Sequence, residues 1–133
     1  MIAAGLGRVA QAEEIWEPAR NFSESELAIL GLRVARSMVQ TDCKGRVFWA
    51  ETPLGKSGYA AGYETLRNEG YNKREMRNFA SRNIVDLQAF GMWMSDGGIN
   101  LSNGSLSQDK ICGYVQKIAG TDHAMGRFLS TTR

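Results

Sequence analysis

This chain contains one histidine, His123, and two cysteines, Cys43 and Cys112. These three residues cannot fill a four-ligand structural zinc site by themselves. The carboxylates, Asp86 and Asp96 among them, are scattered, with no spacing that marks an acid–base pair. No local signature joins His123 to either cysteine as base and nucleophile. Catalysis is therefore not expected, and neither a cofactor nor a metal is implied. The cysteines leave two states open, a single Cys43–Cys112 disulfide or two reduced buried thiols. No apolar run approaches the ~18 residues of a membrane span, so no membrane is implied. Internal repeats, linkers and low-complexity stretches are also missing.

What remains is an ordinary globular composition. At 133 residues the chain is the size of one domain, and 43% hydrophobic against 23% charged residues argues against long disorder. Its net charge of +2 is unevenly spread. Residues 1–30 hold Arg8 and Arg20 against five glutamates, whereas fourteen cations face nine carboxylates in 31–133. That asymmetry permits an anionic partner for the later part.

The opening "MIAAGLGRVAQAEE" carries an "AQA" before Glu13 that looks like a signal-peptidase site. Its apolar stretch is short, and Arg8 interrupts it. The expected location is the cytoplasm, or a secreted or periplasmic one if residues 1–12 are the remnant of a signal peptide. Residues 1–21 are read as a loosely attached segment of a single domain spanning 1–133.

Helical signals dominate the rest. Ser23 with Glu26 forms a capping-box pattern, and Leu27, Leu30, Val34 and Met38 follow at helical spacing, with Arg33 and Arg36 off that stripe. "RVFWA" reads as a short strand. "YAAGYETLRNEG" is a helix ended by Gly70. A longer helix runs through "KREMRNFASRNIVDLQAFGMWM", with Met76, Ala80, Ile84, Leu87, Phe90 and Met94 on one face. Asn103-Gly104, between Leu101 and Leu106, is a hairpin signal, with a compact loop as the alternative. Ser107 then caps "QDKICGYVQKIA", with Ile111, Tyr114, Val115 and Ile118 as its stripe. Gly120 closes that helix, and "DHAMGRFLS" supplies a short final one. The fold expected is mainly α, one compact domain of about five helices with a small β-hairpin or short strand.

Three stretches bear on function. "AETPLGKS", residues 50–57, is close to a phosphate-binding loop, with Gly55, Lys56 and Ser57 in the nucleotide-binding roles. Alanine replaces the first glycine, Pro53 disfavours the tight loop, and one strand cannot build the parallel sheet that carries such loops. An exposed turn with a solvated lysine is the reading adopted.

The second stretch is residues 66–85, "LRNEGYNKREMRNFASRNIV". Gly70-Tyr71-Asn72-Lys73-Arg74-Glu75-Met76 resembles the helix-turn-helix segments of site-specific recombinases and transposase-like regulators. The resemblance implies DNA binding, but the glycine break before a separate recognition helix is absent between Phe79 and Asn83. Arg67, Lys73, Arg74, Arg77 and Arg82 stand against two glutamates here, a cluster suited to phosphates. The third, "KICGYVQKIAGTDHAMGRFLS", has the size of a helix-turn-helix in which Lys110, Lys117, His123 and Arg127 would face DNA. Gly126 falls where a recognition helix buries a branched residue, so a helical hairpin packing its apolar side chains is expected instead. His123 beside Asp122 is read as a surface pair at a helix end.

The sequence thus points to a small non-catalytic, regulatory DNA-binding or nucleoprotein-associated protein. Its basic patches are Arg67, Lys73, Arg74, Arg77 and Arg82, and Lys110, Lys117 and Arg127. Trp49, Trp93 and the Met92–Met94 run are read first as core; the alternative is a protein-interaction module, an inhibitor, structural subunit or homo-oligomer, anchored by Met92, Trp93 and Met94 if Trp93 is exposed.

Overall fold

The computed structural model describes residues 22–71, 83–99 and 107–133. The N-terminal segment 1–21, the basic stretch 72–82 and the Asn103-Gly104 turn lie outside these residues. Within them the chain is mainly helical, with four α-helices and one two-stranded antiparallel sheet.

Helix α1 spans Glu24–Ser37. Its capping box is formed as the sequence indicates: the Ser23 hydroxyl accepts from the Glu26 N–H, and the Glu26 carboxylate accepts from the Ser23 N–H. Eight consecutive residues, Ala28 to Ala35, are buried, so α1 is enclosed on every side and forms the axis of the core. Ile29, Leu30, Leu32 and Val34 are essentially inaccessible. Each such side chain contributes roughly 1.5–3 kcal/mol of transfer free energy. Even Arg33, which falls off the apolar stripe, is buried. Gly31 lets the chain pack this tightly, because a Cβ there would lie 2.2 Å from the Ala124 carbonyl oxygen.

The last turn of α1 widens into a π-helical segment, Met38–Asp42. One extra residue per turn shifts the chain's direction, a feature that apolar periodicity does not encode. Strand β1 (Phe48–Trp49) follows, and then helix α2 (Tyr59–Asn68), which ends at Gly70 in a left-handed conformation, φ +98°. Helix α3 spans Asn83–Asp96 and helix α4 spans Gln108–Ile118. Ser107 occupies the N-cap position of α4 without a side-chain capping bond. The expected final helix is instead a single 3-10 turn, Gly126–Phe128, followed by strand β2, Leu129–Ser130. Strand β2 pairs with β1, Phe48 opposite Ser130 and Trp49 opposite Leu129. This pairing gives the backbone groups of the C-terminal segment partners that a lone helical turn lacks.

A disulfide joins Cys43, just past the π segment, to Cys112 on α4, with Cα atoms 5.6 Å apart. Both cysteines are buried. The alternative of two reduced thiols is thereby set aside. Polar bonds tie the same two regions together. Gln108 donates from its side chain to the Asp42 carbonyl, and Arg46 pairs with Asp109 at 2.9 Å. The Gln116 side chain donates to the Arg46 carbonyl at 3.2 Å.

The cross-link closes a sequence separation of 69 residues. On loop-closure entropy, replacing both cysteines by serine should lower stability by about 4 kcal/mol. Urea unfolding of the double variant against the oxidised protein measures this, and equal midpoints would contradict it.

Candidate functional site

The sequence places its candidates on several elements, and the structure does not gather them. Arg67 is exposed near the end of α2, and Lys110 and Lys117 are exposed on α4. Lys73, Arg74, Arg77 and Arg82 lie outside the described residues. Arg127 is already engaged: its two guanidinium nitrogens meet the two carboxylate oxygens of Glu69, one at 2.9 Å. This hydrogen-bonded pairing raises the Arg127 pKa above its ordinary value. A guanidinium held in both arms by a carboxylate offers little to a phosphate. The second basic patch is thus reduced to the two lysines.

The apolar alternative needs correction. Trp93 is 5% exposed and Met94 fully buried, while Met92 is only partly buried against the core. The condition that would make Trp93 a docking anchor is not met, and these side chains serve packing. Helix α3 is apolar almost all round from residue 85 to 94, so periodicity cannot choose its inner face. The buried face runs through Val85, Gln88, Ala89, Trp93 and Met94. It keeps Met94 of the stripe expected from the sequence but is displaced toward Val85, Ala89 and Trp93, which leaves Leu87 off it. Leu87, expected in the core, is consequently 62% exposed.

That displacement opens a groove on the described surface. Leu87 and Phe90 of α3, Val34 of α1, Met38 of the π segment and Ile111 of α4 line this groove of about 420 Å³. Its polar lining comes from Ser37, Asp42, Asp86 and Gln108. Asp86 reaches inward to Arg33, Nη2 to Oδ2 at 2.8 Å. Its other oxygen, Oδ1, is buried with no hydrogen-bond partner. Burial raises the Asp86 pKa, with Arg33 and Arg36 opposing the shift. The Asp42 carboxyl is also raised by burial on its groove side, although its residue is otherwise exposed. A second hollow of about 470 Å³, lined by Glu24, Leu27, Tyr71 and Asp122, includes the already paired Arg127.

The phosphate-loop string forms an ordinary turn. The Gly55 N–H donates to the Thr52 carbonyl at 2.9 Å, and the Thr52 N–H to the Lys56 carbonyl at 2.6 Å. Amides that a phosphate would need are thus consumed within the turn. The Lys56 side chain is exposed, 4.0 Å from Glu64, and the neighbouring sheet is antiparallel. Gly55 and Ser57 are likewise exposed. No group of His, Cys, Asp and Glu suited to a metal ion occurs among the described residues.

His123 is not a surface residue. It is half-buried, edge-on to Trp93 with ring centroids 5.2 Å apart. Its Nδ1 accepts the N–H of Met125 at 3.0 Å and that of Gly126 at 3.4 Å. The neutral ring therefore carries its proton on Nε2. Burial lowers its pKa, opposed by Asp96 and Asp122. Protonation would remove an acceptor shared by two backbone donors in the loop that rests on Gly31.

The unfolded chain takes up the proton more readily than the folded one here. This contribution to stability is complete above the unfolded value of about 6.5 and is lost as pH falls through the lower folded value. Melting temperature should drop as pH falls below about 6.5. His123→Asn, which keeps an acceptor near the Nδ1 position without titrating, should flatten that drop. Parallel pH curves for the two proteins would refute the assignment.

No family model, curated protein or solved structure matches this chain.

Proposed function

We propose that this chain is a non-catalytic protein-interaction module that works in an oxidising compartment, and that the groove between α1, α3 and α4 receives a segment of another polypeptide. The observation that carries the reading is the groove itself: five apolar side chains from four rigid segments line it, an exposed Leu87 among them. Apolar surface presented on preformed elements binds without a large ordering cost. The Cys43–Cys112 disulfide favours an extracytoplasmic site of action over the cytoplasm, since buried cross-links persist where thiols are not kept reduced. It also removes both thiols from nucleophilic chemistry, which favours a binding role.

Nucleic-acid binding is the second reading. Lys110 and Lys117 favour it, being two turns apart on one helix, exposed, and without an ion-pair partner among the described residues. Arg67 is exposed on a different helix, α2, with the cluster at 73–82 beside it in sequence.

Selection from a random peptide library displayed on phage tests the first reading. Peptides selected on the oxidised protein should bind Leu87→Asp at least about tenfold more weakly. The substitution is at an exposed position, so the fold should be retained. Peptides indifferent to Leu87→Asp, together with salt-dependent duplex binding lost on Lys110→Ala/Lys117→Ala, would overturn the groove and favour the second reading.

A further inference from the structure

We propose that the segment entering the groove is cationic as well as apolar: a lysine or arginine beside an aliphatic or aromatic anchor, its charge seated against Asp42 and Asp86. This rests on the groove being a docking site and specifies what it selects.

The charge of the lining points one way. Among the described residues its titratable side chains are the two aspartates, and no lysine or arginine lines it. The described cations nearby are already engaged. Arg33 holds Asp86 Oδ2 from the core side, and the Arg36 guanidinium lies over the Tyr59 ring, 4.2 Å from its centroid. Arg46 is paired with Asp109.

Asp86 supplies the second observation. Arg33 satisfies only one of its oxygens, and Oδ1 is a buried acceptor without a donor. Oδ1 itself is enclosed, so a ligand's donor meets the rest of the Asp86 carboxylate, which lines the groove with its side chain 35% exposed. Both carboxyls are raised by burial, so each anion has lost part of its hydration before anything docks. A purely apolar segment would strip the remaining water from them without replacing it. An acidic segment would add repulsion. A cation next to an apolar anchor satisfies both parts of the surface, and the like-charge penalty excludes acidic competitors.

The test uses the strongest library peptides that lose binding on Leu87→Asp. These should carry Lys or Arg next to an apolar residue. Replacing that cation by norleucine should weaken binding roughly tenfold, equivalent to about 1.4 kcal/mol. The loss should shrink as salt rises. Asp86→Asn and Asp42→Asn should each weaken the cationic peptide several-fold while leaving the norleucine peptide nearly unchanged. Asp42 makes no side-chain pair within the described fold, so Asp42→Asn keeps the test independent of the Arg33 pairing. Groove-dependent peptides without a cation, or ones indifferent to both asparagine variants, would overturn the proposal while leaving the groove as a docking site. A library yielding no Leu87-dependent binder would overturn both. Self-association abolished by Leu87→Asp would name a second copy as the occupant and likewise overturn the cationic partner.

Discussion

The covalent link between Cys43 and Cys112 is the constraint on which the described surface depends. It joins the end of the α1–π segment to the middle of α4, two pieces of chain that no short loop connects. Helix α4 is otherwise a short amphipathic element with only Cys112 and Val115 fully buried. Two buried side chains hold a helix weakly, and the bonds from Gln108 and Gln116 to the Asp42 and Arg46 carbonyls are modest in net energy. With the cross-link in place these contacts become local and α4 forms a fixed wall. Ile111 then faces Met38 and Leu87 across the groove at a defined spacing.

The opposite end of the molecule is held by close packing. Gly31 brings α1 against the backbone of Ala124, and His123 organises that loop by accepting two backbone N–H groups. Trp93 lies against the His123 ring, so the inner face of α3 is fixed by the same contact. One arrangement therefore has two consequences. Turning Trp93 inward to meet His123 turns Leu87 outward, and the surface feature follows from how the core is filled.

Much of the helical framework was legible in the sequence, because its signals are local. Ser23 and Glu26 meet within one turn, and Gly70 ends α2 through its own backbone freedom. The apolar stripe of α1 was read correctly as far as it went, although burial on all sides extends to Arg33, whose partner Asp86 lies 53 residues away. The π segment was not legible because apolar periodicity does not encode it, the β1–β2 pairing because it joins residues distant in sequence, and the Cys43–Cys112 disulfide stood only as one of two open states. Helix α3 was misread in rotation for a different reason. A segment apolar on every face gives the same pattern whichever side is buried, so Leu87 was expected in the core and lies outside it, whereas Trp93, read first as core, is buried. The groove has no sequence motif, being assembled from positions 34–42, 86–90 and 108–111. Its one compositional clue was two aspartates among apolar residues.

Chemical-shift mapping with n-hexylammonium, the simplest molecule combining an apolar chain with a cation, tests the account most directly. In proton–nitrogen spectra of the oxidised protein, the backbone amides of Asp42, Leu87, Phe90 and Ile111 should move on titration, and n-hexanoate at equal concentration should leave them nearly still. Equal shifts with both amphiphiles, or shifts confined to residues away from the groove, would contradict it.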